Sequence, residues 1–306
     1  MPIQGVVAPP PTPLDPHGSE LDTVGIAAVV EHLVQGGVHG VFVNGTTGEG
    51  PLLSFEERER SAEAFVAAAA GRLKVIVHVG EAGTRGAVRL ARHAATIGAD
   101  GVAVVAPFFF EHDQAALERH VRDVAGATDL PTFLYDIPAR TTNSYGLDLS
   151  RRLFEEGVVV GSKDSSGNLP RMLDLLDLEG YTLLVGADHL ALTTLQAGAA
   201  GMVTGPGCVF PEPYVRLHAA FAAGDLAAAA GWQRAVVRTT RALGFGGDMP
   251  LLRAALGAVT GGIGAPRAPH AATPEERVRA AMSALAAIAG DHGLDGAAER
   301  FEAAAR

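Results

Sequence analysis

Short apolar runs alternate along the chain with longer segments in which alanine, leucine and valine recur at helical spacing. Most of the short runs are almost uniformly apolar, which is typical of parallel strands that helices cover on the outside. Eight such runs predict strands, at Gly5–Ala8, Val41–Asn44, Lys74–His78, Gly101–Ala106, Pro131–Tyr135, Val158–Lys163, Thr182–Val185 and Gly201–Thr204. The segments between them, such as Phe55–Ala70 and Thr84–Ile97, predict amphipathic helices.

Strands that alternate with helices indicate the α/β class, and eight of them favour a closed (β/α)8 TIM barrel. An open doubly wound sheet is the alternative. No GxGxxG sequence follows the first predicted strand, so a nucleotide-binding version of that sheet lacks its fingerprint. Helix N-caps are expected at four polar residues, Thr84, Asp113, Asp148 and Asn168.

More helical stretches follow the eighth strand than a barrel requires, near residues 212–223, 225–243, 249–258 and 273–289. We therefore predict a catalytic barrel domain at residues 1–210 and a C-terminal helical extension at 211–306 packed on the barrel. The extension is also a natural place for an oligomer contact. From about Asp291 onward the chain is rich in alanine and charge, which predicts a loosely held helix.

Composition narrows the classes of partner. A net charge of −10 argues against nucleic acid or an anionic membrane surface as the main partner. No apolar run is long enough to span a membrane, and the opening residues show no export signal. The single cysteine, Cys208, excludes a disulfide within the chain and fits a reducing cytoplasm. We therefore expect a cytoplasmic protein that acts on a small molecule.

Lys163 is the strongest candidate for chemistry. The active sites of TIM barrels lie where the strands end, and Lys163 closes an apolar run. Its stem should lie inside the barrel and its amine at the mouth. Burial would lower the pKa of this amine and free it to attack a ketone. The alternative is a surface lysine in a polar turn before a helix.

Two other strand ends carry candidate residues. Tyr135, at the end of the fifth strand, is suited to general acid/base catalysis, or it caps the core with its hydroxyl in water. Gly45, Thr46 and Thr47 follow the second strand and offer backbone N–H groups and two hydroxyls to a carboxylate, or form a tight turn. Arg140 is placed to hold a second carboxylate as a bidentate fork, or is an ordinary surface arginine. In one barrel, the lysine, the tyrosine and the threonine pair would converge on one cavity.

These segments resemble the dihydrodipicolinate synthase and N-acetylneuraminate lyase group of class I aldolases. The matching sequences are GTTGEG at 45–50, YDIPART at 135–141 and GSKDSSGN at 161–168, and their spacing agrees from about residue 3 to residue 290. The resemblance implies that Lys163 forms a Schiff base with a 2-keto acid and that Tyr135 transfers protons.

The resemblance also implies a binding site and an assembly. Thr46 and Thr47 would hold the keto-acid carboxylate, helped by the backbone near Val203 and Thr204. The covalent Lys163 imine would need no metal and no other cofactor, and the assembly would be a homotetramer built as a dimer of dimers. The sequence itself also argues against a zinc site. Three histidines are expected near strand ends, but they do not have the spacing of zinc ligands; they are His78, His112 and His189.

The chain departs from the synthase branch of that family at Phe109. The synthases place a second tyrosine there, which reaches into a neighbouring subunit and completes a proton relay through Thr46; phenylalanine has no hydroxyl. The sequence His78-Val79-Gly80 is more similar to the lyase branch and to the keto-deoxy sugar acid aldolase branch. Asp136 is a further difference, because many members of the family have asparagine at this position. Arg140 favours the synthase branch instead, because the synthases have an arginine at this position that binds the carboxylate of their aldehyde substrate.

We therefore predict a class I lyase that cleaves or forms a 2-keto-3-deoxy or 4-hydroxy-2-keto acid with pyruvate as one product or substrate. The main alternative is 4-hydroxy-tetrahydrodipicolinate synthase, which condenses pyruvate with aspartate semialdehyde. Two further alternatives are a dehydratase of keto-deoxy sugar acids and a non-catalytic member that binds a keto acid.

Overall fold

Eight parallel strands close into a single barrel in the computed structural model, which describes residues 3–306. Each strand pairs with the next one along the chain, and the eighth pairs with the first, so the predicted (β/α)8 fold is confirmed. The strands are β1 (Gly5–Ala8), β2 (Gly40–Val43), β3 (Lys74–His78), β4 (Gly101–Val105), β5 (Thr132–Asp136), β6 (Gly161–Asp164), β7 (Thr182–Val185) and β8 (Gly201–Val203).

Helices surround the barrel and continue after it. They are α1 (Thr23–Gln35), α2 (Phe55–Ala69), α3 (Thr84–Thr96), α4 (Gln114–Ala125), α5 (Pro138–Thr141), α6 (Leu147–Glu155), α7 (Leu169–Leu176), α8 (Ala191–Gln196), α9 (Glu212–Ala222), α10 (Leu226–Ala242), α11 (Met249–Thr260), α12 (Glu275–Asp291) and α13 (Asp295–Ala305). Within residues 3–306, no helix combines the length and apolar character that crossing a membrane requires.

The sixth strand begins three residues later than predicted, at Gly161 instead of Val158. The backbone N–H groups of Val158 and Val159 both donate to the carbonyl of Leu153, so these residues close the end of α6. The second strand ends one residue early because Asn44 has a φ of 58°, which starts a turn. Apolar character alone does not separate a strand from a buried helix end.

Two of the four predicted N-caps are confirmed and two are wrong. The side chains of Asp113 and Asn168 accept hydrogen bonds from the first turns of α4 and α7. Thr84 is instead the first helical residue after Gly83, and its hydroxyl is engaged with Nδ1 of His120 at 2.9 Å. Asp148 lies in the first turn of α6, where its charge still faces the positive end of the helix.

Side chains from alternate strand positions fill the inside of the barrel. This inner cluster contains Val7, Phe42, Ile76, Ala103, Phe133, Tyr135, Leu184 and Val203, all buried. A second, larger cluster lies between the outer strand faces and the helices. The barrel is therefore a packed core with its chemistry restricted to one end.

The helices after β8 pack in two ways. Helix α9 contacts β1 and α8, as an outer helix of the barrel does, and also contacts α10. Helices α11 and α12 contact each other, and α11 reaches α1. The predicted division at 210/211 stays a prediction.

The last helix, α13, is firmly packed, so the prediction of a loosely held segment is wrong. Phe301 is fully buried, and its ring meets that of Phe210 edge-on with the centroids 4.9 Å apart. Arg300 adds an ion pair to Glu212, with Nη2 and Oε1 2.8 Å apart. These two contacts with distant segments hold α13 against the protein, although its alanine-rich composition predicted loose packing.

Replacing Phe301 with alanine should destabilise the whole protein, because it removes a fully buried ring. The expected loss in the free energy of unfolding is about 3–5 kcal/mol, measured by urea denaturation. The matched control is Glu302→Ala on the exposed face of the same helix, which should change stability by less than about 0.5 kcal/mol. Equal, small losses in both variants would show that α13 is loosely held after all.

Candidate active site

The ends of β5 and β6 place the two principal candidate residues side by side. Tyr135 pairs with Lys163 in the strand register, and the next pair along is Asp136 with Asp164. Because successive side chains of a strand point to opposite faces, one pair faces the barrel interior and the other faces the surrounding helices. Tyr135 belongs to the inner cluster, so Tyr135 and Lys163 are the inward pair.

The Lys163 amine lies at the top of the barrel interior. The residue is only 5% exposed, and Nζ is 4.1 Å from the ring centroid of Phe42 and 4.0 Å from that of Tyr135. No carboxylate among residues 3–306 forms an ion pair with it. The amine faces a cavity of about 450 Å³. Its nitrogen is therefore held between two rings and open to a ligand, as predicted for the lysine stem and amine.

A hydrogen bond joins the tyrosine to the threonine pair. The Tyr135 hydroxyl and Oγ1 of Thr46 are 3.0 Å apart, and either oxygen can donate. Thr46, Thr47 and Lys163 line the same cavity. The structure thus brings the three strand ends together in one place, although the catalytic roles of these residues stay predictions.

The sequence after β2 needs its glycines for close packing. A Cβ on Gly45 would lie 2.7 Å from the ring of Phe42, and one on Gly50 would lie 2.0 Å from the carbonyl oxygen of Asn44. Gly45 therefore lets the Phe42 ring pack close to the Lys163 amine. It does not itself line the cavity, so its part in the site is indirect.

The residues predicted near β8 divide between the cavity and the barrel wall. Val203 lines the cavity, and Thr204 does not. The N–H of Thr204 donates to the carbonyl of Val7 at 3.0 Å, and its hydroxyl accepts from the N–H of Gly207 at 3.1 Å. These two hydrogen bonds hold Thr204 in the scaffold, and the cavity lining at this strand end includes Val203 and Gly205. The predicted binding roles of Val203 and Thr204 stay predictions.

Arg140 lies at the cavity mouth and is exposed. Its Nη2 donates to the carbonyl of Gly247 at 3.4 Å, a long and weak hydrogen bond. Phe245 lines the same mouth and is 71% exposed. The guanidinium is therefore free to exchange its backbone contact for a carboxylate.

One buried carboxylate in the cavity wall was not found from the sequence. Asp188 accepts hydrogen bonds through Oδ2 from Thr240 at 2.9 Å and from Tyr214 at 3.2 Å, while no described residue donates to Oδ1. Burial raises the pKa of Asp188 to about 6, and the hydrogen bonds from these hydroxyls oppose that shift. Asp188 is a single acidic residue in the sequence Gly-Ala-Asp-His after β7, and no local pattern sets it apart.

The outward pair, Asp136 and Asp164, is held by Arg171 of α7. The guanidinium contacts Asp164 directly and lies 3.7 Å from Asp136. Burial raises the pKa of Asp136, and Arg171 lowers it in opposition. Asp164 also accepts from the N–H and hydroxyl of Ser166, at 2.8 and 2.6 Å. This arrangement fixes the backbone directly after the candidate tyrosine and lysine.

Among residues 3–306 no group of three or more His, Cys, Asp or Glu side chains is placed to hold a metal ion. Of the three histidines considered from the sequence, His78 is buried, with Nδ1 3.0 Å from the carbonyl oxygen of Asn44. The chemistry that this site supports is nucleophilic attack by an amine, with a hydroxyl pair for proton transfer.

Comparison with known proteins agrees with this geometry. The Dihydrodipicolinate synthetase family matches residues 2–288. An uncharacterized DapA-like lyase of Halobacterium salinarum is 40% identical over 256 residues, which cover 83% of this chain and 84% of that protein. The 4-hydroxy-tetrahydrodipicolinate synthase of Acidiphilium cryptum is 34% identical over 285 residues, which cover 91% of this chain and 97% of that protein.

The solved structure of the 4-hydroxy-tetrahydrodipicolinate synthase from Methylacidiphilum fumariolicum SolV superposes with a TM-score of 0.89 at 27% identity, covering 98% of this chain and 99% of that one. The resemblance read from the three sequence motifs is thus confirmed along nearly the whole chain. The chain belongs to the dihydrodipicolinate synthetase family and is a carbon–carbon lyase of the class I aldolase superfamily.

Proposed function

We propose that the protein catalyses reversible aldol cleavage and condensation between pyruvate and an aldehyde, through a Schiff base on Lys163. The observation that carries the proposal is the Lys163 amine itself. It is buried between two aromatic rings, faces a cavity of about 450 Å³, and lies beside the hydrogen-bonded Tyr135 and Thr46. A protein that only binds a keto acid has no need of a buried amine, so a non-catalytic role is not supported.

In the proposed reaction, neutral Lys163 attacks the C2 carbonyl of pyruvate, and the carbonyl oxygen takes a proton from Tyr135. The ammonium nitrogen of this adduct returns a proton to the Tyr135 phenolate, which gives the neutral carbinolamine. The hydroxyl then takes that proton and leaves as water while the nitrogen lone pair forms the iminium, and Tyr135 is left as a phenolate that takes the C3 proton in the next step. The resulting iminium withdraws electrons, so a C3 proton leaves and an enamine forms. Carbon C3 of the enamine adds to the aldehyde, and in reverse the iminium drives cleavage of the C3–C4 bond.

The keto-acid carboxylate is proposed to bind between Thr46 and Thr47 on one side and Val203 on the other. Thr46 and Thr47 follow β2, and Val203 ends β8, so the carboxylate would be held beside β1. The iminium itself is the electron sink in this reaction. We therefore propose that the enzyme uses neither a metal nor an additional cofactor.

The wall beyond Lys163 favours a hydroxylated second substrate. It carries hydroxyl, carboxylate and imidazole groups from the ends of β6 and β7 and from α10, namely Ser165, Ser166, Asp188, His189 and Thr240. Several hydrogen-bonding groups in one wall suit a chain of substrate hydroxyls. For this reason we propose 2-keto-3-deoxy or 4-hydroxy-2-keto acids as the substrates.

The second candidate is condensation of pyruvate with aspartate semialdehyde. Arg140 favours it, because an exposed guanidinium at the cavity mouth can bind the carboxylate of that aldehyde. Curated relatives such as the Acidiphilium cryptum protein carry the name of that synthase. Phe109 weighs against it, since this position supplies no hydroxyl to a relay.

We also propose a homotetramer that works in the reducing cytoplasm. The one cysteine, Cys208, is buried and free, as such a compartment permits. Phe109 and Phe110 are 83% and 63% exposed, with their rings edge-on at 4.9 Å. Two adjacent exposed rings are unusual on a monomer's surface and suit a contact with a second copy of the chain.

The Schiff base can be tested cleanly because the chain has only two lysines, Lys163 and Lys74. Incubation with pyruvate and borohydride should add one reduced pyruvate, which peptide mapping should place on Lys163. Lys163→Ala should lose both the adduct and turnover. The matched control is Lys74→Ala. Lys74 begins β3 and forms an ion pair with Asp100, so this variant loses the ion pair but should keep the adduct on Lys163. No adduct on the folded wild-type protein would refute the mechanism.

Arg140→Ala distinguishes the two substrate classes. If aspartate semialdehyde is the substrate, the KM for this aldehyde should rise about tenfold to a hundredfold, because a charge-assisted hydrogen bond of about 1.5–3 kcal/mol is lost. The KM for pyruvate should stay nearly unchanged. Release of pyruvate from 2-keto-3-deoxy acids, followed with lactate dehydrogenase, should change little. An unchanged KM for aspartate semialdehyde would remove the argument for the synthase.

Replacing both Phe109 and Phe110 with aspartate should reduce the assembly to smaller species, because charge would be buried at the contact. Light scattering after size-exclusion chromatography measures the mass directly. The control is Phe245→Asp, which places the same charge on another exposed phenylalanine and should leave the tetramer intact. A tetramer that survives the double substitution would show that the contact lies elsewhere.

A further inference from the structure

A short segment between α10 and α11 presents an aromatic ring to the mouth of the Lys163 cavity. This mouth segment, residues 244–247, has the sequence Gly-Phe-Gly-Gly, and Phe245, Gly246 and Gly247 all line the cavity. Phe245 is largely exposed, whereas Lys163 is buried, so the ring lies at the solvent end of the cavity and the amine at the inner end. The ring is therefore part of the site, but it lies away from the groups that would form the imine.

The backbone at Phe245 has a conformation that residues with a side chain rarely adopt. Its φ is 58° and its ψ is 25°, in the left-handed region that favours glycine. An exposed phenylalanine adds nothing to the core that would offset this strain. Strained residues of this kind cluster where proteins bind ligands, so the conformation points to a use for the ring in binding.

The mouth segment has freedom to adjust between two fixed ends. Leu243, directly before it, is fully buried, and Asp248, directly after it, caps α11 with its side chain. Gly247 has a φ of −98°, and a Cβ there would have one described atom within 4 Å outside its chain neighbours, the carbonyl oxygen of Gly244 at 3.8 Å. Neither packing nor backbone geometry requires glycine at this position. Its presence leaves the backbone beside Phe245 able to rotate.

The cavity offers both apolar and hydrogen-bonding groups to one ligand. Besides Phe245, its lining includes the apolar side chains of Ile137, after β5, and Met249, at the start of α11. The hydroxyl, carboxylate and imidazole groups of the lining come from the ends of β6 and β7 and from α10. A ligand that fills the cavity therefore needs hydrogen-bonding groups and apolar surface along the same chain.

A hydroxylated carbon chain meets both needs. Each of its carbons carries a hydroxyl, which requires a hydrogen-bond partner, and a hydrogen, which forms apolar surface. In the proposed imine, carbons C1 to C3 come from pyruvate and are held at Lys163, at the inner end of the cavity. Only carbons that come from the aldehyde can then extend toward Phe245.

We propose that Phe245 is a specificity-determining residue, whose ring packs against the carbon–hydrogen face of a hydroxylated aldehyde. The inference rests on the proposed function, because such an aldehyde reacts only if pyruvate forms an imine on Lys163. An aldehyde with several hydroxylated carbons reaches the ring and is bound more tightly, since apolar surface is buried against it. A two-carbon aldehyde is too short to reach the ring and gains nothing from it.

The test compares glycolaldehyde, with two carbons, and erythrose, with four, in condensation with pyruvate. Consumption of pyruvate is measured with lactate dehydrogenase in quenched samples. Phe245→Ala should raise the KM for erythrose about tenfold, because the contact with the ring is lost, and should change the KM for glycolaldehyde by less than about twofold. Phe245→Tyr keeps a ring and should restore most of the affinity for erythrose.

Phe245→Gly separates binding from folding. It removes the ring as alanine does, but glycine adopts the left-handed backbone without strain, so this variant should resist heat at least as well as Phe245→Ala. Equal KM values for erythrose in the two variants would support a contact with the ring itself. The matched control is Leu226→Ala, which shortens an exposed side chain at the start of α10, outside the cavity. Its KM values for both aldehydes should match those of the wild-type protein.

Borohydride trapping on Lys163 is measured in parallel for every variant and should remain, because imine formation does not involve the mouth segment. Three results would overturn the inference and leave the Schiff base standing if the wild-type protein traps pyruvate. They are a wild-type KM for erythrose in Phe245→Ala, an equal rise in KM for both aldehydes, and no turnover of erythrose by the wild-type protein. No adduct in the wild-type protein overturns the proposed function, and this inference with it.

Discussion

Buried arginine–carboxylate pairs hold the loops at the carboxyl ends of the strands, where the barrel's own hydrogen bonds stop. Three such pairs come from three different helices, and they are Arg253–Glu49, Arg58–Glu81 and Arg171–Asp164. Each guanidinium also donates to backbone carbonyls of these loops, for example to that of His78 at 2.8 Å and that of Thr12 at 2.8 Å. Removing one partner of such a pair typically costs about 3–5 kcal/mol, because the other charge is left buried and unpaired. These pairs therefore fix the loops that follow the strands at this end of the barrel.

This fixation reaches the reacting groups through strand geometry. Arg171 holds Asp164 on the outer face of β6, and alternation of side chains then directs Lys163 to the inner face. The register that sets Tyr135 beside Lys163 also sets Asp136 beside Asp164, so one guanidinium anchors both strand ends. Precise placement of amine and hydroxyl thus depends on charges that never meet the substrate.

The sequence predicted the barrel and the convergence of Lys163, Tyr135 and Thr46, because parallel strands and their shared end follow from local patterns. What it missed depends on long-range contacts. Arg253 and Glu49 are 204 residues apart, and His270 and Glu49 are 221 apart, so no periodicity or spacing links them. The same reason explains α13, whose alanine-rich sequence suggested loose packing although Phe301 meets Phe210 in the core. Thr84 failed as an N-cap because a distant partner, His120, engages its hydroxyl.

The cavity around Lys163 takes its two parts from different segments of the chain. At its inner end, the Lys163 amine lies between the rings of Phe42 and Tyr135. The residues after β6 and β7, with Arg140, line much of the rest of the cavity, so changes there should alter the aldehyde that the proposed reaction accepts and leave the proposed imine chemistry intact. Glu49 pairs with Arg253 of α11, and this pair fixes the loop after β2 that carries Thr46 and Thr47. Neither residue of the pair lines the cavity, so the loop is held rigidly by charges that leave the cavity lining free to vary.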